Sequence, residues 1–213
     1  MSSPHFTLER RGDVAHLVLD RPPKNELGWS FFEELAGLVE GVLSGLVVRG
    51  LVLSGRGRHF SSGSDVNELL DKAAPGPDCA SIETWEANAR HLRSLGDLPY
   101  PVVAAMGGCC LGSGLELALS CHYRVAADNA VLALPETQLG LMPGCGGTVA
   151  LTRLLGPARA LEIILSGRLI GAQEALALGL VDRVVPRKAL IDTAERLLVL
   201  PRELFGRPAC ASS

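Results

Sequence analysis

Apolar and polar positions along this chain recur in two periods, and the switches between them mark its elements. Val14 to Asp20 alternates weakly, which predicts a strand. Arg21-Pro22-Pro23 ends it in a turn, because proline fixes φ and removes a backbone donor. Phe32, Leu35, Ala36, Val39 and Val42 fall at helical spacing and predict a helix over Trp29 to Leu43. Leu46 to Ser54, rich in Val and Leu, reads as a buried strand, and Gly55 to Ser64 as a loop. A short helix is expected over Asp65 to Lys72, then a Pro/Gly-rich mobile connector over Ala73 to Ala80, then a helix over Ile82 to Leu95.

The second half continues in the same way. Tyr100 to Met106 reads as a strand, and the glycine-dense run Gly107 to Gly114 leads into a helix over Leu115 to Cys121. Short strands follow at Tyr123 to Ala127 and Val131 to Leu134, then a second glycine-dense loop, Gly140 to Thr148. Gly147 to Leu155, Pro157 to Ser166 and Ala172 to Leu178 carry helical patterns; Val181 to Val185 reads as a strand and Leu190 to Leu200 as a last helix. Strands and helices alternate throughout, which predicts an α/β fold with a largely parallel sheet. One domain is expected over residues 1–190, with a short helix and irregular tail over 191–213 and no sequence repeat.

Composition excludes more than it assigns. The chain has 213 residues, 47% hydrophobic and 20% charged, with a net charge of −3. That charge gives no footprint for nucleic acid or an anionic membrane. The longest apolar run, around Leu46 to Leu53, is broken by Arg49 and is too short to span a bilayer. Met1 to Arg11 is polar with both signs of charge, unlike a secretory or transit peptide, so a cytoplasmic location is expected. The six cysteines form no CxxC pair and read as buried thiols rather than metal ligands or disulfides.

Familiar catalytic patterns fail. Gly112-Ser113-Gly114 begins like a dinucleotide fingerprint, but its sixth position is Leu117. There is no Walker lysine, no GxSxG elbow and no HExxH pair, so no metal site is expected. Two carboxylates remain, each in surroundings poor in charge: Glu116, just after a glycine-rich turn, and Glu136, after Pro135. Burial raises a carboxyl pKa by disfavouring the ionised form, and two such groups with unequal values can divide acid and base roles. The pattern also fits a plain surface: Gly112, Ser113, Glu116 and Ser120 share one helix face, as solvent-facing polar stripes do. The glycines at 107, 108, 112 and 114 allow a ligand close to peptide N–H groups at a helix start, where negative charge on a carbonyl oxygen is stabilised. They equally allow tight helix–strand packing.

Taken together, these segments resemble the crotonase (enoyl-CoA hydratase/isomerase) superfamily. Pro101 to Ala118 is similar to its central signature, and Leu134 to Thr148 to its second. His59-Phe60-Ser61-Ser62-Gly63-Ser64-Asp65-Val66 resembles the oxyanion loop, and Asp20 to Leu27 the turn before the first helix. The similarity covers about residues 8 to 190 and is nearest the hydratase portion of multifunctional fatty-oxidation subunits. It implies a spiral of repeated ββα units, assembled as a homotrimer or hexamer. It implies an acyl-CoA substrate, with no separate cofactor, whose thioester carbonyl accepts backbone N–H bonds from Ser64 and Ser113. Glu116 and Glu136 occupy the two acidic positions of hydratases, Glu116 holding and activating water and Glu136 supplying the C2 proton. Lys24, Ser62, Asp65, Gly112 and Gly144 are implied as substrate-binding.

Several residues depart from the family pattern. Serines stand at both oxyanion positions, Cys145 stands where alanine is usual, and Val149-Ala150 replaces a polar pair. The C-terminal helical region reads as shortened, which predicts an exposed apolar surface or an altered interface. Hydration is the expected reaction. Double-bond isomerisation, dehydration or decarboxylation of an acyl-CoA, or acyl-CoA binding without catalysis, are the alternatives.

Overall fold

Hydrophobic residues on alternate positions of the central strands bury both faces of a sheet, and the two faces are covered by different helices. The computed structural model describes residues 3–74, 76 and 79–199. β1 (Phe6–Arg11), β2 (Val14–Leu19), β3 (Gly50–Gly55), β4 (Val102–Met106), β6 (Tyr123–Ala127) and β9 (Arg183–Val185) form a six-stranded sheet in the order β1-β2-β3-β4-β6-β9. Only the β1–β2 hairpin is antiparallel; every other pairing in this sheet is parallel. β5 (Cys109–Leu111), β7 (Val131–Ala133) and β8 (Ile170–Gly171) form a smaller sheet, β5–β7 parallel and β7–β8 antiparallel.

One face of the large sheet presents Leu51, Leu53, Val102, Ala104 and Met106 to the main core, where Phe31, Phe32 and Leu35 of α1 (Ser30–Gly41) meet Leu92 of α3 (Ile82–Arg93). The other face presents Val52, Val103, Ala105 and Val125 to Leu190, Ala194 and Leu197 of α8 (Leu190–Leu197). Period-two alternation in β3 and β4 thus feeds two cores at once. The expected C-terminal helix therefore closes one side of the sheet; the irregular tail expected at 201–213, with Cys210, lies outside the described residues.

The expected spiral is present. Each turn runs from a strand of the large sheet, through a short extended segment, to a helix. β4 leads through β5 to α4 (Ser113–Leu119), and β6 leads through β7 to a 3-10 turn and α5 (Gly147–Leu155). The extended segments stack in parallel: Leu27 bridges Ser64, Ser61 bridges Cys110, and β5 pairs with β7. α2 (Val66–Ala73), α6 (Pro157–Ser166) and α7 (Ala172–Leu178) complete the helices.

Three local expectations change. The strand expected from Leu46 begins at Gly50, because Val47 is exposed and Arg49 turns out to pair with Asp13. The small polar stripe at the start of α4 is not a solvent face: Ser113 and Glu116 are buried, and only Ser120 is partly open. Of the described cysteines, Cys110, Cys121 and Cys145 are buried, Cys109 is half-buried and Cys79 is exposed, all as free thiols.

Candidate active site

The loop before α2 is built from within. Asn25 is buried at a positive φ of 52°, and its side-chain amide donates to the carbonyls of Arg56 at 2.9 Å and His59 at 2.8 Å. Its own carbonyl accepts from the Ser61 hydroxyl at 2.8 Å. Ser61 also joins the loop to β5, accepting at its carbonyl from the Leu111 N–H at 3.0 Å. Gly63 then passes so close to β5 that a Cβ would lie 2.8 Å from the Leu111 carbonyl oxygen, and its φ is +95°. Only glycine fits both demands.

This approach sets Ser64 beside Ser113, the first residue of α4, with their hydroxyls 2.6 Å apart. Neither the Ser64 nor the Ser113 peptide N–H meets a protein acceptor among the described residues. Ser113 follows Gly112, whose φ of +52° turns the chain sharply into the helix. An unpaired N–H at a helix start is a ready donor to an anionic oxygen.

The two carboxylates differ in their partners. Glu116, only 3% exposed, accepts at Oε1 from the N–H groups of Cys145 at 2.8 Å and Gly147 at 2.7 Å. Gly147 allows this contact, since a Cβ there would fall 2.9 Å from Glu116 Cγ. Burial pushes the Glu116 carboxyl up to about 7, and the charge of Glu136 adds to the rise; the two peptide donors oppose it. Glu136, 8% exposed, is raised by burial too, and its Oε2 has no protein partner. Gly112 leaves it room: a Cβ there would lie 3.0 Å from Glu136 Oε1. Burial thus holds both carboxyls above the ordinary range, and the two peptide donors anchor Glu116 while Glu136 Oε2 is left without a protein partner.

Ser64, Ser113, Glu116 and Glu136 line one cavity of about 220 Å³. Gly144 lines it as well, and Gly112 backs it through Glu136. The other three sequence-derived positions lie outside its lining. Lys24 is exposed and pairs with Glu26 at 3.1 Å. The Ser62 N–H donates to the Lys24 carbonyl at 3.0 Å. Asp65 caps α2, accepting from the N–H groups of Asn67 and Glu68. Sequence reasoning did not reach the lining residues Leu69, Lys72 and Trp85, which α2 and α3 bring in, or Leu141 and Met142. Met142 and Trp85 carried a faint signal, as large apolar residues beside glycine loops or on a polar helix. The described residues hold no cluster of three or more possible metal ligands, and no described helix is long and apolar enough to cross a membrane.

Comparison with known proteins identifies the family of the chain. The enoyl-CoA hydratase/isomerase family model matches residues 9–201. The fatty acid oxidation complex subunit alpha of Shewanella amazonensis is 41% identical over 196 residues, covering 89% of this chain. The chain spans 27% of that relative's length. An enoyl-CoA hydratase from Bacillus anthracis superposes with a TM-score of 0.81 at 34% identity, covering 91% of this chain and 75% of its own. A Thermobifida fusca protein solved in complex with CoA superposes with a TM-score of 0.77 at 32% identity, over 94% of this chain and 80% of its own. In sequence and in fold, this chain belongs to the enoyl-CoA hydratase/isomerase family.

Proposed function

We propose that the chain adds water to 2-enoyl-CoA thioesters, giving 3-hydroxyacyl-CoA. The observation that carries this reading is the meeting of two buried carboxylates and two unpaired peptide N–H groups on one cavity. The thioester oxygen accepts from the Ser64 and Ser113 N–H groups. Glu116, ionised, takes a proton from water, and the oxygen adds to C3. The C2–C3 π electrons shift towards the thioester oxygen, and the resulting enolate is held by fixed donors that need no reorganisation. Glu136, protonated, then gives its proton to C2. A site with one carboxylate could shift a double bond; two carboxylates, one to take a proton from water and one to give a proton to C2, suit net addition of water.

The hydratase names of the relatives and the CoA bound by the Thermobifida fusca protein support the substrate class. CoA enters as part of the substrate and no separate cofactor is required. We further propose a cytoplasmic homo-oligomer, a trimer or hexamer, without nucleic-acid or membrane partners. The test is incubation with crotonyl-CoA and longer 2-enoyl-CoAs, with products identified by mass and chromatography. Formation of 3-hydroxyacyl-CoA supports the proposal. Only a shifted double bond, or unchanged substrate, overturns it.

A further inference from the structure

The wall of the cavity contains one large ring, Trp85 of α3. Two features hold it in place. From behind, Trp29 meets it edge to face, with centroids 5.1 Å apart and planes at 87°. Trp29 is itself fixed between Phe32, at 6.4 Å, and the Lys72 ammonium, at 6.0 Å. In front, the ring lies against Gly144: a Cβ there would be 3.0 Å from Trp85 Cε3. Gly144 immediately precedes Cys145, whose N–H holds Glu116. The indole therefore stands one residue from the anchor of a carboxylate, on a support that resists displacement.

We infer that Trp85 is a specificity-determining residue on the wall of the acyl compartment that favours short over long acyl groups. The inference rests on the acyl-CoA reading of the site, not on the hydration step. A thioester whose oxygen sits at Ser64 and Ser113 must lead C2 and C3 past Glu116 and Glu136. The same cavity presents the apolar side chains of Trp85, Leu141 and Met142 to that chain. Trp85 is the largest side chain on the wall of this cavity of about 220 Å³. A longer chain must push the ring off Gly144 and off Trp29. Discrimination in an apolar pocket runs to about tenfold or more per misfitted methylene, so the wall acts as a length stop.

Two readouts test this, one of them independent of turnover. Dissociation constants are measured for saturated butanoyl-, octanoyl- and dodecanoyl-CoA on the wild-type chain, Trp85→Ala and Trp85→Phe. The kcat/KM ratio for the matching 2-enoyl-CoAs is then measured on the same proteins. The wild type is expected to favour the four-carbon over the twelve-carbon chain by about tenfold or more in both readouts. Trp85→Ala should shrink or reverse that ratio by about tenfold or more, mainly by gaining on the long chain. Trp85→Phe keeps an aromatic wall, is the safer variant for folding, and should fall between. A wild type that prefers twelve carbons, or the same length preference in all three folded proteins, overturns the inference. Length selection in binding without any hydration would instead overturn the proposed reaction and leave the role of Trp85 standing.

Discussion

The hydroxyls of Ser64 and Ser113 lie 2.6 Å apart although 49 residues separate them in sequence. Each therefore has a partner, while the peptide N–H groups of the same two residues have none among the described residues. The donors free to meet a thioester oxygen are main-chain ones. Ser64→Ala and Ser113→Gly should stay active, with a stability loss of about 1 kcal/mol for the broken hydroxyl pair. Ser64→Pro deletes a donor that makes no folding hydrogen bond, and should lower kcat by about 10² to 10³. Steady-state kinetics, with circular dichroism to confirm folding, checks this; severe loss in folded Ser113→Gly would make the hydroxyl part of the chemistry.

Asn25 does not line the cavity, yet its amide holds the carbonyls that shape the loop carrying Ser64. Asn25→Asp keeps the size and tolerates the positive φ, but replaces the amide donors with an acceptor. Buried carbonyls left without donors cost about 1 to 3 kcal/mol. The variant should lose about that much in denaturant unfolding. Its kcat should fall more than its KM rises, because the loop places a donor that acts on the developing oxyanion.

Glu116 binds its proton more tightly when folded than when unfolded, since burial lifts its carboxyl from 4.5 to about 7. Wild-type stability from this group is thus greatest below pH 4.5, falls as pH rises towards about 7, and stays low above it. Glu116→Gln removes the ionisation. It should be more stable than wild type at pH 8, by about 3 kcal/mol at most, and the gap should close near pH 4. Thermal melts across that range check the sign. The same ionisation should give wild-type kcat/KM a rising limb near pH 7, because Glu116 must be charged to take a proton from water.

Apolar side chains stand open on neighbouring elements: Leu161 and Leu165 on α6, Leu169 on the turn after it, and Leu176 on α7. Such a surface is the kind that association covers. Light scattering should give a mass of three or six chains at micromolar concentration. A stable monomer would contradict the oligomer.

Much of the fold was legible because it is local. α5, α6 and α7 begin and end where glycine, proline and helical spacing say, as at Pro157 and Gly167. β1 was not read, because only Phe6 of its six residues is buried and an edge strand with an exposed face shows little pattern. β5 and β8 are two or three residues long and exist only through partners far along the chain. At the site, the glutamates and serines were legible through their glycine-rich settings. The burial of Glu116 was not, because a polar stripe looks the same whether it faces water or a cavity. The roles of Asn25 and Trp85 depend on contacts across 31 or more residues, which no local pattern carries.

The central claim is that water adds across the double bond, with Glu116 activating it and Glu136 protonating C2. The most direct measurement is turnover of crotonyl-CoA in water enriched in heavy oxygen and deuterium, with the product analysed by mass spectrometry and NMR. The wild-type chain should place solvent oxygen at C3 and solvent hydrogen at C2. Glu116→Gln and Glu136→Gln, correctly folded, should each lower that incorporation rate by about 10² to 10⁴. Absence of solvent oxygen at C3 in the wild-type product, or near-normal incorporation by either variant, would contradict the account.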